Sequence, residues 1–143
     1  MKVIVMLCML ALPIVSTAST NEYRKLAQQL EGLTEVDGSA VGARGTPGRF
    51  YKLSLDILAK GSKPDFQRML SSTNPVVRLM GVYSLVNTHT NMSELWLPAT
   101  LFSDTTKVLY APGGCGVMYR TVSDIAYEFI RNPQCLGASR RKK

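Results

Sequence analysis

Residues 74–85 read NPVVRLMGVYSL, and they carry the clearest helix signal in the chain. Asn74 belongs to the residue types that cap helix N-termini, and Pro75 suits the first helical position, where an N–H would have no partner. Apolar side chains then recur at helical spacing, at Val76, Leu79, Met80, Tyr83 and Val86. The pattern predicts a helix that begins at Pro75 and buries one apolar face.

Five other segments on either side of this helix carry helical periodicity or helix caps. They begin near Ser19, Phe50, Pro64, Asn91 and Thr121, and they end near Gly32, Gly61, Ser71, Phe102 and Asn132. Pro98 lies inside the fifth of the six predicted helices and favours a kink or an early end there. Because several connections are short, the pattern predicts an all-α domain of antiparallel helices.

Two stretches lack this periodicity. Residues 34–48 contain five glycines or prolines among small polar residues, a composition that predicts a flexible linker. Residues 103–120 form a long loop around Pro112, Gly113 and Gly114. Within this loop, residues 108–110 and 117–119 are the exceptions to the helical pattern, and a small hairpin of these two segments is the alternative.

The stretch FQRMLSSTNPVVRLMGVYSL at residues 66–85 resembles a HEAT-type helical repeat, through the pattern Asn-Pro-x-Val-Arg-x-x-Gly-x-x-x-Leu. A weaker match covers residues 97–126 and contains Thr-Val-x-Asp-x-Ala. The resemblance implies a short stack of antiparallel helix pairs with protein partners. Such repeats commonly have an aspartate six residues before Arg78, where this chain has Ser72, and Asp104 is the corresponding acid in the second unit. An unrelated helical bundle and a mixed fold are the alternatives.

The first eighteen residues have the composition of a secretory signal peptide. Lys2 supplies a positive start, residues 3–15 are apolar, and Ser16-Thr17-Ala18 is a small-residue cleavage pattern. The apolar run is about 13 residues long, whereas a helix that spans a bilayer needs about 20. We therefore expect cleavage after Ala18 and a secreted or periplasmic protein, with one helical domain over residues 19–136.

Basic charge is concentrated at the C-terminus. The chain has 17 lysines and arginines against 10 acidic residues, a net charge of +7. Four of the basic residues close the chain, at Arg140, Arg141, Lys142 and Lys143. We expect residues 137–143 to be a disordered basic tail with, at most, peripheral membrane contact. A specific nucleic-acid site is not indicated, because no aromatic residues interleave these charges.

Cys115 and Cys135 are the two cysteines that follow the predicted signal peptide. In an oxidising compartment such a pair favours a disulfide, which would close a ring of about 20 residues and contribute roughly 3 kcal/mol in the chain-entropy model. Two free thiols, one of them reactive, are the alternative.

Catalytic side chains are few. His89 is the only histidine, so neither a metal site built from several histidines nor a relay of histidines can form. The carboxylates are scattered, and we predict no catalytic residue, cofactor or metal site. A thiol enzyme that uses Cys115, with His89 as its base, is the main catalytic alternative.

Aromatic and basic side chains are the candidate partner contacts. Tyr110 and Tyr119 flank the glycine loop and are predicted to be exposed contacts, together with the basic residues 140–143, whereas Tyr83 and Trp96 are assigned to the core. Asn91 begins a glycosylation sequon, and its alternative role is a helix cap. The predicted function is an exported, noncatalytic protein-binding or scaffold module. The alternatives are the thiol enzyme and an envelope-associated factor held by the basic tail.

Overall fold

The computed structural model describes residues 21–89 and 91–137. Within these ranges the chain forms five α-helices, three β-strands and two 3-10 turns. In chain order these are α1 (Asn21–Glu31), β1 (Glu35–Asp37), α2 (Arg49–Lys60), α3 (Lys63–Met69), α4 (Pro75–Thr88), the 3-10 turns Met92–Glu94 and Ala99–Ser103, β2 (Lys107–Ala111), β3 (Met118–Thr121) and α5 (Val122–Arg131). The predicted signal peptide and the basic residues 140–143 lie outside the described residues.

The strands form one mixed sheet in the order β1-β2-β3. Strand β1 runs parallel to β2, with Val36 opposite Tyr110, and β3 runs antiparallel to β2, with Tyr119 opposite Leu109. The hairpin that the sequence left as an alternative is therefore present. The all-α prediction is wrong, and so is the HEAT-like stack, because the protein is a mixed α/β domain.

Helix α4 lies at the centre of the domain. Ten of its residues are buried, and it contacts α1, α2, α3 and α5. A helix that is apolar on every side belongs inside a core, whereas a repeat helix buries one stripe. The close approach of α3 depends on Gly81, where a Cβ atom would lie 2.8 Å from the Phe66 carbonyl oxygen and 2.9 Å from the Met69 Cβ.

Aromatic side chains connect the helices around this centre. The ring of Tyr83 on α4 meets Phe50 of α2 and Phe129 of α5 edge to face, at centroid distances of 6.2 and 5.2 Å. All three rings are fully buried. The prediction that Tyr83 packs in the core is confirmed.

Strand β1 lies inside the segment that the sequence assigned to a flexible linker. Val36 is fully buried, and the Asp37 carboxylate accepts hydrogen bonds from the backbone N–H groups of Arg49 at 2.9 Å, Phe50 at 2.8 Å and Tyr51 at 3.3 Å. This aspartate caps α2 from a distance of twelve residues along the chain. The fit requires Gly48, since a Cβ there would overlap the carboxylate.

Two predicted helix starts depend on a capping residue, and a third predicted helix contains a proline. Asn74 caps α4 by accepting from the Val76 N–H at 2.8 Å, and Thr121 caps α5 by accepting from the Asp124 N–H at 3.2 Å. Both predicted starts are confirmed. The predicted helix over residues 91–102 is wrong, because the chain makes two 3-10 turns there, on either side of Pro98, which lacks the N–H that a continuous helix needs.

Candidate functional site

Val117 and the first two residues of β3, Met118 and Tyr119, form an exposed apolar strip at the edge of the sheet. Among the described residues, β3 pairs with β2 and with no other strand. Val117, Met118 and Tyr119 are 54, 50 and 72% exposed. Successive side chains of a strand point to opposite faces, so this β3 strip presents apolar groups on both sides of the sheet edge.

A cleft of about 590 Å³ lies between the end of β3 and the outer face of α5. Arg120 enters it from β3, and α5 contributes Asp124, Tyr127, Glu128 and Arg131, which share one helix face by their spacing of three and four residues. In the described part of the chain, Arg131 forms no ion pair, whereas Arg120 is held by Glu128. Among the cleft residues, the Arg131 guanidinium is therefore available to bind an acidic group, and the half-exposed ring of Tyr127 lines the same cleft.

A hydrogen-bonded network connects two residues of this cleft, Arg120 and Glu128, to the buried Tyr110 and to Cys135. Glu128 binds the Arg120 guanidinium and accepts the Tyr110 hydroxyl hydrogen bond at 2.8 Å. Arg120 also lies over the Tyr110 ring, 5.3 Å from its centroid. The Tyr110 oxygen is 3.9 Å from the Cys135 sulfur. These contacts join β2, β3, α5 and the segment after α5.

The chemistry of this network favours a structural role over catalysis. Burial raises the pKa of the Tyr110 hydroxyl well above its ordinary value, with the neighbouring Cys135 and Glu128 acting in the same direction. Burial also raises the pKa of the Cys135 thiol to about 11. Both groups therefore stay protonated at neutral pH, and a protonated thiol is a poor nucleophile.

The predicted disulfide between Cys115 and Cys135 is absent, and both thiols are free. Cys115 is exposed in the loop between β2 and β3, whereas Cys135 is half-buried beside Tyr110 and packs against the core. The spacing of 20 residues along the chain allowed a bridge, but the turn after α5 directs Cys135 inward instead.

Among the described residues, His89 makes no contact with Cys115. Its Nδ1 atom is 2.9 Å from the Leu85 carbonyl oxygen, so the ring covers the C-terminal end of α4. Within the described residues, Cys115 has neither a hydrogen-bonded nor an ion-paired side-chain partner. The same part of the chain contains no group of three side chains suited to hold a metal ion.

The predicted aromatic contacts separate into exposed and buried residues. Tyr119 is exposed, as predicted, but Tyr110 is 1% exposed and cannot contact a partner directly. Trp96, which was assigned to the core, is 67% exposed after the first 3-10 turn. The sequence signal for this exposure is Pro98, because the interrupted helix leaves no continuous apolar face to bury the indole.

Asn91 acts as a cap in the structure. Its Oδ1 atom accepts from the Ser93 N–H at 3.1 Å at the start of the first 3-10 turn. The cleft and the uncommitted Arg131 were not predicted, because the sequence alone does not show which face of α5 meets Arg120.

No protein-family model matches the chain, and no curated protein matches it. In the described ranges, no helix has both the length and the apolar character needed to cross a membrane.

Proposed function

We propose that this protein is an exported, noncatalytic protein-binding module that captures an extended segment of a partner protein along β3. The β3 strip carries the proposal. It combines a strand edge that no other described strand pairs with and three consecutive exposed apolar side chains, at residues 117–119. An extended segment that adds to such an edge gains backbone hydrogen bonds and apolar contacts together.

The composition of the edge supports binding. Natural edge strands are usually protected by charged side chains, prolines or bulges. Strand β3 has one charged residue, Arg120, and Glu128 holds its guanidinium at the α5 side. The strip itself contains neither charge nor proline. An exposed apolar edge of this kind is typical of a surface that a partner covers.

Export is supported by the signal-peptide composition of residues 1–18. The noncatalytic character is supported by the protonated state of Cys135 and by the position of His89 at the end of α4. A binding module requires a presented surface, and the β3 strip supplies one.

Site-specific photo-crosslinking tests this proposal in cells that export the protein. A benzophenone amino acid at position 119 should yield a discrete adduct with another protein, because Tyr119 is the most exposed residue of the strip. The same group at position 96 is the matched control, since Trp96 is an aromatic residue of similar exposure outside the sheet. Met118→Lys in the position-119 protein should remove the adduct by placing a charge on the edge.

Two results would contradict the proposal. Equal adducts from positions 119 and 96 would mean that the strip has no preference for partners. An adduct that contains only a second copy of this chain would assign the edge to self-association instead.

A thiol-dependent enzyme is the second candidate, and the exposed free thiol of Cys115 is the observation that favours it. Such an enzyme requires a thiol that reacts faster than an ordinary exposed cysteine. The test compares the second-order rate constants for the reaction of iodoacetamide with Cys115 and with glutathione at the same pH. This comparison distinguishes an activated thiol from an ordinary exposed cysteine. A faster rate for Cys115 would support the enzyme, and equal rates would contradict it.

A further inference from the structure

Helix α5 runs back beside β3, from the end of the strand towards its start. Near the end of β3, Arg120 binds the Glu128 carboxylate, and one of its guanidinium nitrogens lies 3.4 Å from the Asp124 carbonyl oxygen. At the start of the strand, Met118 lies opposite Tyr110, whose hydroxyl donates to Glu128. The first turn of α5 is therefore close to the end of β3, and its later turns lie towards the β3 strip.

The cleft lies on one particular face of the sheet. Side chains that are directly opposite in an antiparallel pair share a face, and so does every second residue of a strand, which places Met118, Arg120 and Tyr110 together on the α5 side. A segment that pairs with the outer edge of β3 would place every second side chain on this same face, beside the outer residues of α5. The cleft is the space that those side chains would enter.

Two exposed side chains of opposite charge line the cleft at its two ends. Asp124 lies in the first turn of α5 and Arg131 in the last. They are seven residues apart on one helix face, which corresponds to two turns and about 10 Å along the helix axis. Within the described residues, neither side chain forms an ion pair or a hydrogen bond. Both charges are therefore available to a ligand.

Other charged groups close to α5 are already paired. Arg120 and Glu128 bind each other inside the cleft. The Asp104 carbonyl accepts from a backbone N–H in the first turn of α5, but the Asp104 carboxylate is bound by Arg78. Neither pair adds a free charge to the cleft.

Lys107 is the remaining charged residue of the hairpin that β2 and β3 form, and it lies on the other face of the sheet. It is opposite Thr121, which shares a face with Tyr119, two residues earlier in the same strand. The described cleft therefore has no net charge, but it has a negative end at Asp124 and a positive end at Arg131.

We propose that this separation of charge selects the segment that β3 captures. The segment carries an acidic side chain that binds Arg131 and, on the same face, a basic side chain that binds Asp124. This inference rests on the proposed function and names the chemistry of its partner. A uniformly acidic segment is repelled at Asp124, and a uniformly basic one is repelled at Arg131. Because the two ends of the cleft differ in sign, they also fix the direction in which the segment runs.

The ring of Tyr127 supports the same selection. It lies between the two charges, three residues after Asp124 and four before Arg131, and it is 49% exposed. Long charged side chains bury their aliphatic stems against apolar surface while the charged group stays in water. The ring therefore provides a contact for the stems of the two charged side chains of the segment.

Two synthetic peptides of ten residues test the proposal with the protein purified after export. Threonine and valine alternate in both peptides, and each peptide carries a fluorophore. In one, glutamate replaces the third residue and lysine the seventh, and in the other these two charges are exchanged. The charges share one face of the extended peptide and are about 13 Å apart, within reach of both Arg131 and Asp124.

Fluorescence anisotropy measures the affinities. At about 0.05 M salt, one order of charges should bind about tenfold more tightly than the other, because the less favourable order places like charges together at both ends. At about 0.5 M salt, most of this preference should disappear.

Three variants locate the preference in the cleft. Asp124→Lys/Arg131→Glu exchanges the two charges and should reverse the preference between the peptides. Arg131→Gln removes one charge and should reduce the preference to about threefold. The matched control Glu22→Lys/Lys60→Glu exchanges the charges of an exposed pair between α1 and α2, and it should leave the preference unchanged. Thermal unfolding checks that all variants remain folded.

The outcomes separate this proposal from capture along β3. Equal affinities for the two peptides, with binding lost in Met118→Lys, would overturn selection by charge and leave capture standing. An unchanged preference in folded Asp124→Lys/Arg131→Glu would also overturn it. If neither peptide binds at up to about 1 mM, selection by charge is overturned, whereas the adduct from position 119 reports on capture independently.

Discussion

Tyr110 and Tyr119 show how strongly a single residue depends on strand register. Both flank the glycine loop in sequence, and both were predicted to be exposed. In the sheet, Tyr119 lies opposite Leu109 while Tyr110 lies opposite Met118, so the two tyrosines point to opposite faces. The α5 side covers Tyr110, where Glu128 accepts its hydroxyl hydrogen bond, and Tyr119 stays in solvent.

Thiol alkylation checks the positions of the two cysteines. We expect iodoacetamide at pH 8 to add one group, at Cys115, to the native protein that lacks residues 1–18, and two groups to the same protein when it is unfolded without any reductant. Since burial raises the pKa of Cys135 to about 11, about one molecule in a thousand carries that thiolate at pH 8. Intact mass measures the number of adducts, and Cys115→Ser should remove the native one. Protection of both thiols until a reductant is added would contradict the free-thiol structure.

At the scale of single elements, the sequence predicts some helices better than others. Helices α2, α4 and α5 follow from apolar spacing and from residues at their ends, which act over a few neighbouring positions. The central position of α4 has a visible signal as well, since Val77, Val82 and Leu85 extend its apolar surface beyond one face. That signal indicates a helix surrounded by others, which a two-layer repeat stack does not provide.

The cap of α2 is an element-scale feature that a search of nearby residues does not find. Asp37→Ala removes the carboxylate that accepts from three backbone N–H groups at the N-terminus of this helix. We expect the free energy of unfolding to fall by about 2–3 kcal/mol, because those donors are left without a charged acceptor. Urea unfolding measures the loss. Asp56→Ala, at an exposed position of the same helix, should change stability by less than about 0.5 kcal/mol, and equal losses in both variants would contradict this role of Asp37.

At the scale of the whole molecule, one ion pair connects α4 to the chain before β2. Arg78 binds Asp104 through two nitrogens, at 3.0 and 2.6 Å, and also donates to the Ser72 carbonyl at 2.8 Å. In the HEAT-type interpretation of the sequence, Arg78 lacks its usual aspartate partner, and Asp104 is the acidic residue of the second repeat unit. The structure brings the two together across 26 residues, although the repeat stack itself is absent.

This pair predicts a specific pH dependence of stability. Burial opposes ionisation of Asp104, but hydrogen bonds from Thr106 and Arg78 outweigh it and hold the pKa of this carboxyl below its ordinary 3.8. A lowered pKa in the folded state stabilises the protein above the unfolded pKa, and that stabilisation is lost as the pH falls through the folded pKa. Asp104→Asn should therefore cost about 2–3 kcal/mol at pH 7, and the difference from the unmodified protein should shrink below about pH 4.

Urea unfolding at pH 7, 5 and 3 measures this difference. Glu22→Gln is the control, because its pair with Lys60 is exposed and worth at most about 0.5 kcal/mol. A constant difference between Asp104→Asn and the unmodified protein at all three pH values would show that charge at Asp104 does not stabilise the fold.

The sequence by itself determined where most helices begin and end and that Asn74 caps α4. These features depend on periodicity and capping over a few residues, so they are visible locally. Only the tertiary structure decided that residues 35–37 form a strand, because their partner β2 lies about 70 positions later. It also decided which face of β2 is buried and where the thiols lie, since strand register and packing depend on contacts distant in sequence.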